Sequence, residues 1–508
     1  MDMHRDRTLT APTCLTSLTH ESAEDFTLPD YMPPIRRVIT VTARPLPESR
    51  FLTGSAMEFG GTITYAILYL GEGDEIYCAP LSSEYSGSVS LGDYTLDDAS
   101  SVGIDTTAES VNCRVIGPRK VSMKCRMRTK IAAYAPVPLE ETVTDAAGRP
   151  CRAEGASLEK LICTAPNVRV SRGEITATAG GALDRLSGAK ILLCDGVIRV
   201  EDARPGTDSV TVAGDAIVHL LCLSPDGTVS PYTAKSRFSE VLSVPGATES
   251  DHARGWGRCA AVTVNTADEG DPSWEIEFDL EAESVAAAET AYTADAYATD
   301  CGSRVEFAER DSLRRVLCGV GSLSVSGEGG RQSKSAPGEK ILHADASVTP
   351  DHVEYSEEKR RLILHGTAAV RVVIGCDGEV MVEEFALPIR YETEGIPPAA
   401  GGELLWRCTA DVCDIRARPA GDRIAVDMDL SLSMTVLSRE KIRCVREIAL
   451  ESDPATGAGE GRLRICYPEP GETIWEVGKR YRACQKSLCE KNGMPDAHAK
   501  CGGEPILV

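Results

Sequence analysis

The sequence predicts a mainly β protein in which three β-sandwich-like repeats are followed by a small α+β module. Two observations predict the β class. Apolar and polar residues alternate with period two in several runs, and Asp-Gly pairs stand between apolar runs as hairpin turns do. A third observation predicts the repeats, because one set of landmarks returns about every 150 residues along the 508-residue chain. The pattern changes after Leu450, where the smaller module follows.

Composition and charge narrow the class of protein. The 54 Lys and Arg residues against 77 Asp and Glu give a net charge of −23. Such an acidic chain argues against a broad surface for nucleic acid or for anionic membranes. No run approaches the roughly 18 uninterrupted apolar residues of a transmembrane helix. We therefore expect no nucleic-acid partner and no transmembrane segment.

The N-terminal segment and the cysteines indicate the cellular compartment of the protein. Residues 1–30 are expected to form a polar, mobile leader, since the beginning contains no apolar core of a secretory signal. The 19 cysteines run from Cys14 to Cys501 without a CxxC pair, and most lie within apolar runs. Cysteines of this kind behave as small hydrophobic residues, which predicts free thiols in a reducing, cytoplasmic compartment.

The repeats share a basic residue with two aliphatic residues, a glycine before an apolar run, and a glycine-containing turn. The copies are Arg37-Val38-Ile39 with Gly61 and Gly73, Lys190-Ile191-Leu192 with Gly214 and Gly227, and Lys340-Ile341-Leu342 with Gly366 and Gly378. The basic residue and first glycine are 24, 24 and 26 residues apart, and the two glycines 12, 13 and 12 apart. This agreement predicts a tandem triplication over residues 31–150, 155–300 and 310–450.

Two further patterns accompany the landmarks. Residues 157–163 match residues 312–318, which predicts a short amphipathic element opening the second and third copies. Each copy ends in an alternating run, at residues 121–127, 276–280 and 424–430, expected to be a half-buried antiparallel strand. Residues 451–461, rich in Gly, Ala and acidic residues, are expected to be a flexible linker.

The C-terminal module, residues 462–508, carries a net charge of +2 and leaves −25 for the rest of the chain. Ile474, Val477 and Tyr481 are spaced i, i+3 and i+7, which predicts a helix with one apolar face. Glu472 suits the N-terminus of that helix because its charge is negative. Trp475 lies beside the apolar face, and two interpretations stay open: a core residue, or a half-exposed anchor for a protein partner.

Metal-binding and catalytic patterns are weak. Cys484, Cys489, His498 and Cys501 are spaced C-x4-C-x8-H-x2-C, which is compatible with zinc, but free thiols are the preferred interpretation because no CxxC knuckle is present. No Walker A, GxGxxG or GxSxG motif occurs. We interpret His219 and His365 as packed strand residues rather than bases. A non-catalytic protein without metal or cofactor is expected.

Two segments resemble known domains. Residues 28–39, LPDYMPPIRRVI, resemble the opening of SPOCS domains, the repeat of SipL-type sporulation proteins, and the later landmarks are similar to the interior of that family. Residues 467–481, YPEPGETIWEVGKRY, resemble the first half of a LysM domain, whose second loop and closing strand match Asn492-Gly493-Met494 and residues 505–508. Glu472 stands where LysM families usually carry Asp, and residues 496–504 also depart from their pattern.

The resemblance implies three SPOCS-like repeats and a βααβ LysM-like domain in a scaffold of endospore coat morphogenesis. Such proteins lie at the forespore surface in the mother-cell cytoplasm and help the coat to encase the forespore. The implied partners are the ATPase of the coat basement layer and other coat proteins. The alternative is a cell-envelope protein that binds a peptidoglycan- or chitin-type glycan containing N-acetylglucosamine. The implied binding residues are Gly471, Glu472, Thr473, Ile474, Trp475, Asn492, Gly493 and Met494.

Overall fold

The computed structural model describes residues 8–508 except 54–55, 74, 91–99, 140–141, 145–157, 184–185, 187–188, 226, 267–271, 300, 331–338, 377–378, 397–401 and 455–463. Strands dominate the described residues, so the mainly β class is confirmed. The two helices of the described ranges have eight residues each. Neither is long and apolar enough to cross a membrane.

The first unit consists of two three-stranded antiparallel sheets. Its strands are β1 (Thr8–Thr27), β2 (Ile35–Thr53), β3 (Ala56–Gly71), β4 (Ile76–Ser90), β5 (Ser101–Gly117) and β6 (Lys120–Pro138). One sheet has the order β2-β3-β4 and the other β1-β6-β5. A short strand, β7 (Thr142–Thr144), leaves this unit and pairs in parallel with Glu447 to Ala449 of the third unit.

The expectation of a polar, mobile leader over residues 1–30 is wrong for residues 8–27, which form β1, and residues 1–7 lie outside the described residues. Residues 8–27 pair antiparallel with β6 from Thr8↔Pro138 to Thr27↔Lys120. The segment can be polar because it is an edge strand. Main-chain hydrogen bonds to β6 hold it in the sheet, so it needs few apolar side chains. Leu9 and, just after the strand, Leu28 are buried. The segment therefore belongs to the first unit.

The second and third units repeat this strand order. The second contains β8 (Leu158–Ala182), β9 (Lys190–Gly206), β10 (Ser209–Leu223), β11 (Val229–Ser243), β12 (His252–Asn265) and β13 (Ser273–Ala298). The third contains β14 (Cys301–Gly330), β15 (Lys340–Ser356), β16 (Arg361–Cys376), β17 (Glu379–Thr393), β18 (Glu403–Ala420) and β19 (Arg423–Pro454). Their sheets are ordered β11-β10-β9 and β12-β13-β8, then β15-β16-β17 and β14-β19-β18.

The apolar core of each unit lies between its two sheets, and alternation along the strands supplies it. In the second unit Ile276, Phe278 and Leu280 of β13 face Val210 and Val212 of β10 within one buried cluster. The intervening residues of β13 point to the other face of the sheet. The three alternating runs noted in the sequence lie in β6, β13 and β19, and each of these strands is the centre of its sheet.

A glycine of the third strand faces a β-bulge in the second strand of every unit. The pairs are Gly61↔Pro47, Gly214↔Val200 and Gly366↔Pro350, and the register skips one residue of the second strand immediately afterwards. A Cβ on Gly214 would overlap the carbonyl oxygen of Arg199, and a Cβ on Gly366 would lie 2.8 Å from that of Thr349. In the second and third units this first glycine landmark is therefore required by close backbone approach at a bulge.

Other expected elements have different outcomes. The described parts of the short elements at 157–163 and 312–318 are not separate elements, since they continue the long strands β8 and β14. The turn at Asp377-Gly378 and Asp226 of the turn before Gly227 lie outside the described residues. Of the expected linker, residues 451–454 extend β19 and residues 455–461 lie outside the described residues.

The C-terminal module has the order β20 (Ile465–Cys466), α1 (Ile474–Tyr481), α2 (Gln485–Asn492) and β21 (Ile506–Leu507), with β20 and β21 antiparallel. Its core contains Cys466, Ile474, Val477, Leu488, Cys501 and Ile506. The expected helix is therefore present. It begins at Ile474 because Thr473 caps it, accepting from the Glu476 amide while the Glu476 carboxylate accepts from the Thr473 amide.

Candidate interaction site

The first loop of the module and the start of α1 carry five of the residues implied as a binding site. Gly471 has a φ of +91° in the turn before the helix. Arg480 donates to the Glu472 carboxylate at 2.7 Å, and Thr473 forms the cap described above. Ile474 is fully buried in the core of the module. The structure thus gives four of the five, Gly471 to Ile474, roles in the module's own folding.

The second loop, at Asn492 to Met494, is also stabilised by hydrogen bonds within the module. The Asn492 side-chain amide donates to the carbonyls of Leu488 and Leu507, and its oxygen accepts from the Leu507 amide, each at 2.8 Å. Gly493 ends α2 with a φ of +64°, a left-handed conformation that glycine adopts without strain. Met494 packs against the core of the module. Asn492 thus connects the end of α2 to β21.

Trp475 is 4% exposed because its ring lies against the second unit. Its indole ring meets the ring of Tyr297 of β13 edge-on, with centroids 5.0 Å apart. The indole Nε1 donates to an Asp295 carboxylate oxygen at 2.9 Å, and the Lys479 ammonium lies 2.6 Å from the same oxygen. We call Trp475, Lys479, Asp295 and Tyr297 the docking contact.

The backbone supports the docking contact on both sides. The Tyr297 hydroxyl donates to the carbonyl of Ala483 at 2.8 Å. It also lies where a Cβ on Gly478 would be, so α1 approaches β13 closely only because this helical position lacks a side chain. A bulge between Thr293 and Asp295 interrupts the pairing of β13 with β8 next to the contact.

Neither open interpretation of Trp475 described this arrangement. The ring is outside the apolar core of its own module, so it is an anchor, but its partner belongs to the same chain. Sequence reasoning missed Asp295 and Tyr297, which lie 180 and 178 positions before Trp475. No motif surrounds them in the segment AYTADAYATD. Only the fold brings them to the helix.

An open depression lies on another face of the module. It runs between α2 and residues 494–497, and Lys486, Cys489, Glu490 and Pro495 line it. Of the implied binding residues, it includes Met494. Lys486 and Glu490 are exposed and 4.0 Å apart, one helical turn from each other. The depression leaves an accessible mixed-charge surface on α2.

The four residues considered as zinc ligands in this module do not form a cluster. Among the residues that the structure describes, the one group of three or more close metal-ligating side chains lies elsewhere, in the third unit. Cys501 is buried in the module core, whereas Cys484 and His498 are exposed. Burial raises the pKa values of the Cys489 and Cys501 thiols, which disfavours the thiolate form that zinc requires.

A buried ion network joins the three β units. It consists of Asp105 from the first unit, Arg172, Arg254, Arg258, Glu281 and Glu283 from the second, and Arg407 from the third. Four of these residues lie on the fifth strands of their units, since Asp105 belongs to β5, Arg254 and Arg258 to β12, and Arg407 to β18. Equivalent strands of the three units thus converge on one network.

Two carboxylates hold the network together. Glu283 accepts from Arg407 at 2.6 Å, from Arg254 at 3.4 Å and from the Thr435 hydroxyl at 2.6 Å. Asp105 accepts from Arg407 at 2.9 Å and from Arg258 at 3.3 Å. Because both carboxylates bridge arginines of different units, each couples the positions of two or more units.

The neighbouring arginines set the pKa values of these two carboxylates. Burial alone would raise the pKa of Glu283, but Arg254, Arg407 and the Thr435 hydrogen bond lower it to about 2. The pKa of Asp105 is likewise held below its ordinary value, since Arg407 and Arg258 outweigh the effect of burial. Both groups are therefore ionised at neutral pH. Buried charges of this kind need complete pairing.

Apolar contacts also join the three units. One buried cluster combines Ala132 and Tyr134 of the first unit, Val170 and Val285 of the second, and Leu313, Cys318, Leu405 and Leu437 of the third. A second joins Ile39 of the first unit to Val373 and Val380 of the third. Arg254, Arg172 and Arg407 also lie over the ring of Trp256, at 4.2, 5.5 and 5.8 Å from its centroid.

The two histidines interpreted as packed strand residues differ. His219 lies in β10 between the second and third units, where its Nε2 is 3.0 Å from the carbonyl oxygen of Cys413. Burial lowers its pKa, which keeps the ring neutral. His365 lies in β16 but is half-buried on the outer face of its sheet, next to His352 and Glu354.

Comparisons of the chain with protein-family models, with curated proteins and with solved structures find no match.

Proposed function

We propose that this chain is a non-catalytic scaffold of endospore coat morphogenesis. In this proposal the three units are tandem copies of one SPOCS-like module, and residues 462–508 are a LysM-like module. The recurrence of one six-strand order supports the first part, together with the shared landmarks that occupy equivalent strands. The resemblance of residues 28–39 and 467–481 supports the assignment to coat morphogenesis.

The observation that carries the scaffold role is the ion network. Seven charged side chains, drawn from all three units, are used to hold the units against one another. Breaking such a network is costly because each removed partner leaves a buried charge unpaired. A body built in this way keeps its binding surfaces in a set arrangement. This is the property required of a scaffold that binds several copies of a partner on one surface.

We assign partner binding to the α2 surface of the module. The Trp475 side of α1 is occupied by β13, whereas Lys486, Glu490 and Pro495 remain accessible at the depression. The proposed partner is the ATPase of the coat basement layer, at the forespore surface in the mother-cell cytoplasm. Other coat proteins are further partners of the same scaffold.

The two loops of the module do not favour the alternative of a glycan ligand. A sugar would need free backbone polar groups in the two loops. The amides of Ile474 and Trp475 donate instead to Ala499 and Ala497, and the Glu472 carbonyl accepts from Cys501. Asn492 is engaged by its three internal hydrogen bonds. These groups are therefore committed within the module.

The test measures binding of the full chain to the purified coat ATPase and, in parallel, to chitin and to peptidoglycan. The double charge reversal Lys486→Glu with Glu490→Lys is expected to weaken ATPase binding at least about tenfold, since it inverts the charge order at the depression. Lys491→Glu is the matched control, because it changes an exposed charge of the same helix outside the depression. Tight glycan binding without ATPase binding would contradict the proposal.

A further inference from the structure

Two histidines and a glutamate lie together on the outer face of the hairpin formed by β15 and β16. His352 of β15 is directly opposite His365 of β16 in the antiparallel register. Glu354 follows His352 by two residues and therefore points to the same face. His352 and Glu354 are exposed, and His365 is half-buried. The three side chains are thus accessible from solvent.

The ligand atoms of these side chains are close. One ligand atom from each residue lies within 4.8 Å of the other two. The His365 Nε2 is 3.3 Å from a Glu354 carboxylate oxygen, and the two imidazole rings are stacked with centroids 4.5 Å apart. Zinc–nitrogen and zinc–oxygen bonds of about 2.0–2.2 Å place ligand atoms roughly 3–3.5 Å apart around the ion. The His365–Glu354 pair already has this spacing, and closing the other two pairs requires a tilt of the exposed His352 ring.

The β-bulge of the third unit produces this juxtaposition. The pairing passes from Pro350↔Gly366 to His352↔His365, so that Asp351 is the extra residue. If the pairing continued without the bulge, Asp351 rather than His352 would face His365. Glu354 would then point to the opposite side of the sheet. Bulges re-aim side chains in this way and occur next to functional sites.

The same positions in the other two units show that the fold does not need these side chains. In the first unit the residues equivalent to His352, His365 and Glu354 are Ser49, Gly60 and Phe51, and in the second they are Asp202, Ala213 and Arg204. All three units keep the bulge, but only the third places two imidazoles and a carboxylate beside it. The set is an addition to the common framework.

We propose that His352, Glu354 and His365 bind a divalent ion of the zinc class. Imidazole nitrogens with one carboxylate oxygen form a ligand set suited to zinc and neighbouring transition metals, rather than to magnesium or calcium. Three protein ligands leave at least one coordination position open to water or to a donor from another molecule. Arg390 lies opposite His365 on β17, but it is paired with Glu392 at 2.6 Å, which offsets its positive charge.

The experiment titrates Zn²⁺ into the full chain in competition with a chromogenic zinc chelator. His365→Ala and His352→Ala are each expected to lower the affinity for one equivalent of Zn²⁺ by at least about tenfold. Even the loss of a residue that only supports a metal ligand lowers metal affinity by that factor. Glu354→Gln should weaken the same equivalent. His498→Ala is the matched control, since it removes another exposed histidine, one that lies in the C-terminal module.

A second measurement separates binding from misfolding. Zn²⁺ is expected to raise the melting temperature of the wild-type chain and of His498→Ala, but not that of His365→Ala, whose metal-free melting temperature should equal that of the wild type. The thiols are the same in all these variants, so their zinc binding cancels in the comparison. Equal zinc affinity and stoichiometry in wild type and His365→Ala would overturn the proposal. Loss of the equivalent in His498→Ala alone would also overturn it.

Discussion

The Arg407 guanidinium of the third unit lies 2.6 Å from the Glu283 carboxylate of the second, and both side chains are buried. The same guanidinium lies 2.9 Å from Asp105 of the first unit. One side chain therefore contacts acidic groups of both other units. Its position makes Arg407 the point at which the packing of the three units can be tested.

We first expect Glu283→Gln to destabilise the chain by about 3–5 kcal/mol, because the substitution leaves Arg254 and Arg407 buried without their shared counter-charge. The midpoint of urea unfolding at neutral pH measures the loss. Glu277→Gln is the control, since Glu277 is an exposed residue of the same strand. If both variants unfold at the wild-type urea concentration, the network does not hold the units together.

The second prediction concerns pH. The pKa of Glu283 is about 2 in the folded chain against an ordinary 4.5, so the folded state binds fewer protons than the unfolded state between these values. Its stabilising contribution is present above pH 4.5 and is lost as the pH falls toward 2. The difference in melting temperature between wild type and Glu283→Gln should therefore shrink over this window. A difference that grows on acidification would contradict the assignment.

The third prediction uses a glycine beneath the network. A Cβ on Gly103 of β5 would overlap the Arg407 guanidinium. Gly103→Ala should cost about 1–3 kcal/mol, because it forces Arg407 away from Asp105 and Glu283. Gly319→Ala provides the control, since a Cβ at that strand position meets open space. Equal unfolding midpoints for the two alanine variants would show that Arg407 does not occupy this position.

The fourth prediction tests the docking contact. Asp295→Asn removes the charge that binds Lys479, and Gly478→Ala places a methyl group against the Tyr297 hydroxyl. Each should release the C-terminal module, which is measured by cutting within 451–461 and following the fragment by size-exclusion chromatography. The wild-type fragment should stay bound to the body, as should that of Glu504→Gln, an exposed acidic residue of the module. A wild-type fragment that separates at once would contradict the contact.

The fifth prediction follows from thiol burial. Cys484 is exposed, whereas Cys318 is buried and burial raises its pKa to about 12. A maleimide should therefore label Cys484 in the native chain and Cys318 only after unfolding, because the reaction needs an accessible thiolate. Peptide mass mapping after brief labelling identifies the modified residues. Cys484→Ser should remove the label from its peptide, and native labelling of Cys318 would show that the contact between units opens.

The strand pattern and the glycine landmarks could be predicted because their causes are local. Alternation in 424–430 reflects two faces of one strand, and Gly214 faces a bulge only 14 residues before it. The strand at residues 8–27 could not be predicted for a related reason. A polar edge strand has no local apolar signal, and its pairing partner β6 lies about a hundred residues later in the chain.

The candidate sites were harder to predict. For Trp475, the sequence indicated a ring beside the apolar face of a helix but gave no sign of Asp295 and Tyr297. For His365, a position within a strand suggested packing, while the bulge that brings His352 opposite depends on pairing between two strands. Spacing within one segment cannot show either relationship.

Local pattern is enough to predict the two sheets of each unit: period-two alternation divides each strand into an apolar and a polar face, and the apolar faces must meet. What covers the polar faces depends on how the units pack against one another. Glu281 and Glu283 continue the polar face of β13, which by pattern alone belongs in water. They are buried because strands from units more than a hundred residues away supply Asp105 and Arg407 to that face. Charge pairing across such distances leaves no local trace, since each residue alone is compatible with a solvated surface.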